Sequence, residues 1–184
     1  MDTKFDKSKI ATNKDIVDLF AKEQPKLVFD TNTKWEYSNT GYLILASIIE
    51  KASDMSFGDY LKKKIFKPLK MDNTFVYRRR FQPKKIDNYA QGYIYSDSLK
   101  KKILPDELGS SFYVVYLDGI VGDGMVNSNL SDLLKWDRAL YKNTLINALV
   151  FGGYQRTYQA WNGIDKETME NDRRFNTSGI YTDA

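Results

Sequence analysis

Tyr37-Ser38-Asn39 stands just ahead of a strongly apolar run, Leu43 to Ile49, in a chain of 184 residues with neither histidine nor cysteine. Those two absences limit the chemistry. Without histidine, the usual general base near neutral pH and the commonest metal ligand are gone. Without cysteine there is no disulfide framework and no thiolate zinc site. Catalysis must therefore rest on Tyr, Lys, Ser or carboxylates. A metal site would need oxygen ligands only, and no EF-hand spacing occurs, so no metal and no cofactor is expected. On its own, a Tyr-x-Asn before a helix also has a plain structural reading. Asn39 then caps the helix and Tyr37 packs beside it as a half-buried aromatic. Ser98-Leu99-Lys100-Lys101 places a serine close to lysines, in a polar, lysine-rich stretch.

The elements that position these residues follow from the hydrophobic period. A first helix begins near Asn13, its expected cap, with Ile16, Leu19 and Phe20 on one face, and ends at Gln24-Pro25. A second starts at Asn39 or Thr40 and runs to about Lys51. Leu43, Ile44, Leu45, Ala46, Ile48 and Ile49 leave it almost no polar face, which predicts burial on most sides. Ser56 caps a third helix with Phe57, Tyr60, Leu61, Ile65 and Phe66 as its stripe and Lys62 to Lys64 facing water; Pro68 closes it. Thr74 to Tyr77 and Asn88 to Tyr95 suggest short strands. Ser96 to Ser111 suggests a surface excursion. Phe112 to Met125 is apolar and punctuated by glycine, with a turn at Gly119 to Gly124. A fourth helix follows, capped by Asn129 or Ser131 and carrying Leu133, Leu134, Ala139 and Leu140. Beyond Tyr141 the pattern weakens to a possible helical turn at Lys166 to Asn171.

Composition narrows the class. An apolar fraction of 42% supports a packed core and argues against disorder. The net charge of +4 is mild. Its clusters (Lys62 to Lys64, Arg78 to Arg80, Lys100 to Lys102) lack any helix-turn-helix, RNP or zinc pattern, so no nucleic-acid partner is expected. No apolar run is long enough to span a bilayer, and the N-terminal residues have no secretory-type apolar core. The compartment is left open.

Two blocks of the sequence resemble one family. Trp35 to Val76 contains Tyr37-Ser38-Asn39, Gly41-Tyr42, Ser56-Phe57 and Pro68-Leu69-Lys70-Met71-Asp72-Asn73-Thr74. In order and spacing these are similar to the serine β-lactamase and penicillin-binding-protein superfamily, in the branch of class C β-lactamases, D-alanyl-D-alanine carboxypeptidases and esterases. Gly122 to Tyr141, GDGMVNSNLSDLLKWDRALY, resembles that branch's glycine-rich turn and the helix after it. The resemblance implies an acyl-enzyme mechanism in which a serine attacks an amide or ester and a lysine one helical turn away activates it. Tyr37 and Asn39 would be catalytic, the phenol relaying a proton and the amide holding the lysine and substrate. Gly122, Asp123 and Gly124 would line the substrate site.

The resemblance also sets expectations about what this chain lacks. The nucleophile motif belongs upstream of Tyr37, where no Ser-x-x-Lys occurs; Ser98 is out of order. Neither Lys142-Asn143-Thr144 nor Thr177-Ser178-Gly179 fits the third, Lys-Thr-Gly motif. The expected fold is helix-rich α+β. Residues 1–148 would form the helical lobe of a β-lactamase-like enzyme, 149–184 a tail without the family pattern, and most of the α/β lobe would be missing. The expected function is that of a serine hydrolase fragment acting on a β-lactam or peptidoglycan-like substrate. The alternative is a non-catalytic module that binds such a peptide or a protein partner, for which 13 tyrosines and 3 tryptophans supply stacking surface. Apolar surface left uncovered by the missing lobe makes a homodimer plausible.

Overall fold

The computed structural model describes residues 6–31, 33–34, 36–110, 112–142 and 144–145. The tail 149–184, with the possible turn at Lys166 to Asn171 and Thr177-Ser178-Gly179, lies outside the described residues. Helices dominate, accompanied by two small two-stranded sheets. The chain divides into two compact units. One is drawn from Met1–Pro25, Ser38–Phe57 and Val76–Val126, the other from Lys26–Tyr37, Gly58–Phe75 and Asn127–Ala184.

In the first unit, α1 spans Asn13–Glu23 and α2 spans Asn39–Ser53. Thr12, not Asn13, caps α1. The Thr12 N–H donates to Asp15 Oδ2 at 2.8 Å while its hydroxyl meets the Asp15 N–H, a reciprocal box at the helix entrance. These Thr12 donors hold the Asp15 carboxyl below its usual range. The helix stops at Gln24, whose left-handed backbone (φ 41°) lets its N–H reach Phe20 O at 2.9 Å ahead of Pro25. Ser38 caps α2, accepting the Gly41 N–H at 3.0 Å.

Burial of α2 departs from expectation. Leu43 and Ala46 are buried, whereas Leu45 and Ile48 remain 55% and 56% exposed. An all-apolar helix buries only the faces that neighbours cover. Here the covered face meets α1 and the chain around Ile120, in a core of Ala11, Ile16, Leu43 and Ile120 with Phe20 and Leu117 against it.

The stretch 96–111 is more ordered than a surface excursion. Strand β2 (Ile94–Ser96) pairs antiparallel with β3 (Lys101–Ile103), Ile94 opposite Ile103 and Ser96 opposite Lys101. The connecting turn uses a left-handed Lys100 (φ 49°), and Ile103 is buried opposite the half-buried Ile94. A single 3-10 turn, Pro105–Leu108, follows, and then the short helix α4, Tyr113–Tyr116. Buried Asp118 organises this region. It accepts the N–H groups of Arg80 (2.7 Å) and Phe81 (2.9 Å) and pairs with the Arg80 guanidinium at 3.2 Å. Arg80 also grips Asp106 at 2.6 Å and donates to Val114 O at 2.9 Å. Arg80 thereby holds the Asp106 carboxyl below its usual range.

In the second unit, α3 (Phe57–Leu61, its first residue still in the first unit) widens into a π-type stretch, Lys62–Phe66. There the Lys67 N–H bonds Lys62 O, five residues back, at 2.9 Å. Phe66 turns inward and Lys62 to Lys64 face water as the pattern predicts. Helix α5, Leu130–Tyr141, is capped by Asn129, whose Oδ1 accepts the Asp132 N–H at 2.9 Å. Strands β1 (Phe75–Val76) and β4 (Val126–Asn127) form the second ladder, in which Val76 and Val126 are counted with the first unit.

Asp132 is fully buried and ties the two family-like blocks to each other. It accepts the Asn73 N–H (2.8 Å), the Thr74 hydroxyl (2.9 Å) and the Lys135 ammonium (2.7 Å). The same ammonium caps the Lys70 carbonyl. Burial works to raise the Asp132 carboxyl, but these donors outweigh it and the group lies below its usual range. The Asn73-Thr74 pair of the motif is thus a structural clasp.

Candidate active site

Asn39 is the first residue of α2, and Ser38 takes the capping role that would by itself have explained it. The plain reading of Asn39 as the cap is therefore displaced by one residue. Tyr37, 56% exposed, is not the half-buried aromatic of that reading. It closes a segment of the second unit, so the first unit by itself brings together α2 and the glycine turn.

Packing on α2 sets the position of that turn. Gly122 adopts φ 105°, and a Cβ there would stand 2.5 Å from the Tyr42 carbonyl oxygen and 2.6 Å from Ala46 Cβ. Only glycine allows the chain this close to the first turns of a helix that begins at Asn39. Gly124 differs: a Cβ there would meet nothing within 4 Å. Between them Asp123 carries its carboxylate with no hydrogen-bonded or ion-paired side chain among the described residues. Partial loss of hydration pushes that carboxyl above its usual range, opposed only by its own backbone N–H.

Asn13 holds the near end of the turn, a role the sequence reading missed. Its Oδ1 accepts the Val121 N–H at 2.8 Å, and its Nδ2 reaches Val121 O (3.1 Å), Leu43 O (3.2 Å) and Ser47 Oγ (3.2 Å). One buried amide therefore joins the start of α1, the second turn of α2 and the residue before Gly122. Its signal lay in the helical period, since Asn13 shares its face with Ile16 and Phe20 and is polar where an apolar residue belongs. The far end is pinned by the Tyr77 N–H, which donates to Met125 O at 2.9 Å.

Ser98 and Lys101 do not form a nucleophile pair. Ser98 sits in the β2–β3 turn with its Oγ 3.1 Å from Ser96 Oγ, and Lys101 begins β3. Extended backbone cannot bring the two onto one helical face. Among the described residues no group of three or more acidic side chains is arranged to hold a metal ion, and no helix is long and apolar enough to cross a membrane.

Known proteins show the same pattern. A family model described as Beta-lactamase matches residues 2–170. Penicillin-binding protein 4* of Bacillus subtilis (strain 168) is 52% identical over 143 residues, which are 78% of this chain and 32% of that protein. Two solved structures share its fold. The penicillin binding protein from Bacillus halodurans superposes with a TM-score of 0.62 at 21% identity, over 79% of this chain and 41% of its own. The D-amino acid amidase from Ochrobactrum anthropi SV3, complexed with D-phenylalanine, gives 0.57 at 25% identity over the same shares. The chain thus spans well under half the length of these relatives.

Proposed function

The chain belongs to the β-lactamase family, and from that premise we propose that it forms part of a serine hydrolase that cleaves an amide or ester through an acyl-enzyme. Its contribution is one wall of the site. Tyr37 relays a proton, the Asn39 amide orients substrate and the activating lysine, and Gly122-Asp123-Gly124 lines the substrate site. The nucleophilic serine and its lysine come from residues outside this chain, and the substrate is a β-lactam or a peptidoglycan-like peptide. The amidase among the structural neighbours adds support for amide cleavage.

The observation that carries this reading is the seating of Gly122 on Tyr42 and Ala46. Such a close backbone approach presents the turn beside the helix that Asn39 opens, and it is the kind of fixed arrangement a substrate wall needs. Intact mass measured after incubating the folded chain with a penicillin and, separately, a fluorophosphonate tests it. No adduct is expected from this chain alone. Rapid labelling of any serine, Ser98 included, overturns the assignment of the nucleophile to other residues.

A second reading, a non-catalytic module that binds a peptide or protein, draws on Tyr93 and Tyr95, each 59% exposed on or beside the hairpin. Under it, spectral shifts on adding a muropeptide centre on the hairpin; under the first they centre on residues 122–124.

A further inference from the structure

We infer that the outward face of α2 is an interface between two copies of this chain, which pair with their α2 helices antiparallel about a twofold axis level with the Ala46–Ser47 peptide. The inference concerns association alone and stands apart from the reaction proposed above.

The two sides of α2 differ in what covers them. Leu43 and Ala46 are buried, Leu43 within the core shared with Ile120, and Ser47 on that side meets the Asn13 amide. The opposite side carries Gly41, Ile44, Leu45, Ile48, Ile49 and Ala52, at the three-and-four spacing of one helix stripe. Ile44, Leu45 and Ile48 are exposed there, and no charged residue interrupts the stripe. Exposed faces of the other long helices do carry charge. On α1 these are Lys14, Asp18 and Lys22, and on α5 Asp137 and Arg138 follow Leu130, Leu133 and Leu134. A continuous uncharged stripe on a surface helix marks a contact face.

The order of side chains along the stripe selects a second copy as the occupant. Counted from the Ala46–Ser47 midpoint, it reads the same in both directions. Leu45 and Ile48 stand at equal distances, then Ile44 and Ile49, then the small residues Gly41 and Ala52. A twofold axis at that midpoint sets Leu45 level with the partner's Ile48, and Gly41 level with the partner's Ala52. Large side chains meet in the middle, and the small pair at each end lets the backbones approach. The stripe thereby matches itself, which is what an isologous contact requires. Antiparallel pairing also sets the positive end of each helix beside the partner's negative end, where a parallel pair would align like ends. With no charge in the stripe, no like-charge contact opposes closure. One helix pair buries less surface than a permanent dimer, so the dissociation constant is on the order of 10–100 µM.

Sedimentation velocity from about 5 to about 500 µM tests this on the chain and on two variants, Leu45→Glu and Ile48→Lys. Both sites are more than half exposed, so the substitutions leave the buried side of α2 untouched. The unsubstituted chain is expected to pass from monomer to dimer across that range. Each variant alone is expected to associate at least about tenfold more weakly, because a charge enters the centre of an apolar contact. An equimolar mixture of the two is expected to recover dimer. The axis sets the new carboxylate level with the new ammonium and leaves one Leu45–Ile48 contact intact. Leu130→Glu, on α5, is expected to change nothing. A chain that stays monomeric throughout overturns the inference, as does a dimer that either α2 variant leaves unaffected or that Leu130→Glu disrupts. A mixture no more associated than its components overturns the antiparallel axis, and with it the reason for choosing a second copy.

Discussion

Replacing Gly122 by alanine asks the turn to accept a single methyl, and the structure gives two separate costs for it. At φ 105° the backbone lies where an L side chain is strained, a cost of about 1–3 kcal/mol. The methyl would also press on the Tyr42 carbonyl at 2.5 Å and on Ala46 Cβ at 2.6 Å. The first of these belongs to helix backbone, which cannot rotate away, so overpacking adds about 1–3 kcal/mol. The expected loss is about 2–6 kcal/mol against a total of roughly 5–15 kcal/mol for a domain. Gly124→Ala, two residues on, lacks both costs and should fall within about 0.5 kcal/mol of the parent. Urea unfolding followed by far-ultraviolet circular dichroism measures both. Failure of the Gly122 variant to fold fits the upper end of its range, because the matched Gly124 variant controls for expression and handling. Equal effects at the two glycines, or a Gly122→Ala loss below about 1 kcal/mol, would refute the argument that the turn is seated by contact with α2.

Three further outcomes test the polar framework. Asn13→Leu leaves the Val121 N–H and C=O unpaired in the core. It should cost about 2–4 kcal/mol, from two buried groups at about 1–2 kcal/mol each, and raise hydrogen exchange at the Val121 amide. For Asp132 the folded carboxyl lies below its unfolded value, so its contribution is present above that value, near 3.9, and is lost as pH falls through the folded pKa. Urea midpoints should therefore hold from neutral pH to about 5 and decline below about 4. Asp106 and Asp15 act in the same direction, and Asp132→Asn should flatten only its own share. Arg80→Met strands a buried Asp118 and should cost about 3 kcal/mol, the low end for breaking a buried pair, since two backbone N–H groups still reach the carboxylate. Thermal unfolding against the parent chain measures it.

The sequence was most readable where local signals decide the structure. Among the described residues, periodicity placed the long helices α1, α2 and α5 to within a residue or two, and Asn129 was among the caps expected. It misplaced two caps by one residue, because Thr12 and Ser38 compete for that role with Asn13 and Asn39 and only geometry decides between them. Of the strand expected over Asn88 to Tyr95 only the end from Ile94 is one, and its partner β3 was hidden because Lys101 and Lys102 leave Ile103 as its one apolar residue. Burial of α2 was overestimated because apolar content does not say which faces have neighbours. The family-like Asn73-Thr74 and Asp132 could be recognised as pattern, but their purpose could not, since a bond across 59 positions leaves no local trace. The same holds for Asn13. Its face hinted at a buried polar group, while its partners on Leu43 and Val121 are set by the fold alone.

The long reach of Asn13 has a consequence for biosynthesis. Its bonds to Val121 span 108 residues, so the clasp on the glycine turn cannot close until that much more chain has been made. At about 5–20 residues per second the interval is about 5–20 s. Once made, 30 residues after Asn13, Leu43 lacks for the rest of that interval the cover that Ile120 later gives it, as Ala46 lacks that of Gly122, and α2 offers apolar residues on every side. The nascent chain is thus exposed to aggregation for seconds by its topology, and a ribosome-associated chaperone that shields such a helix should raise the yield of folded protein.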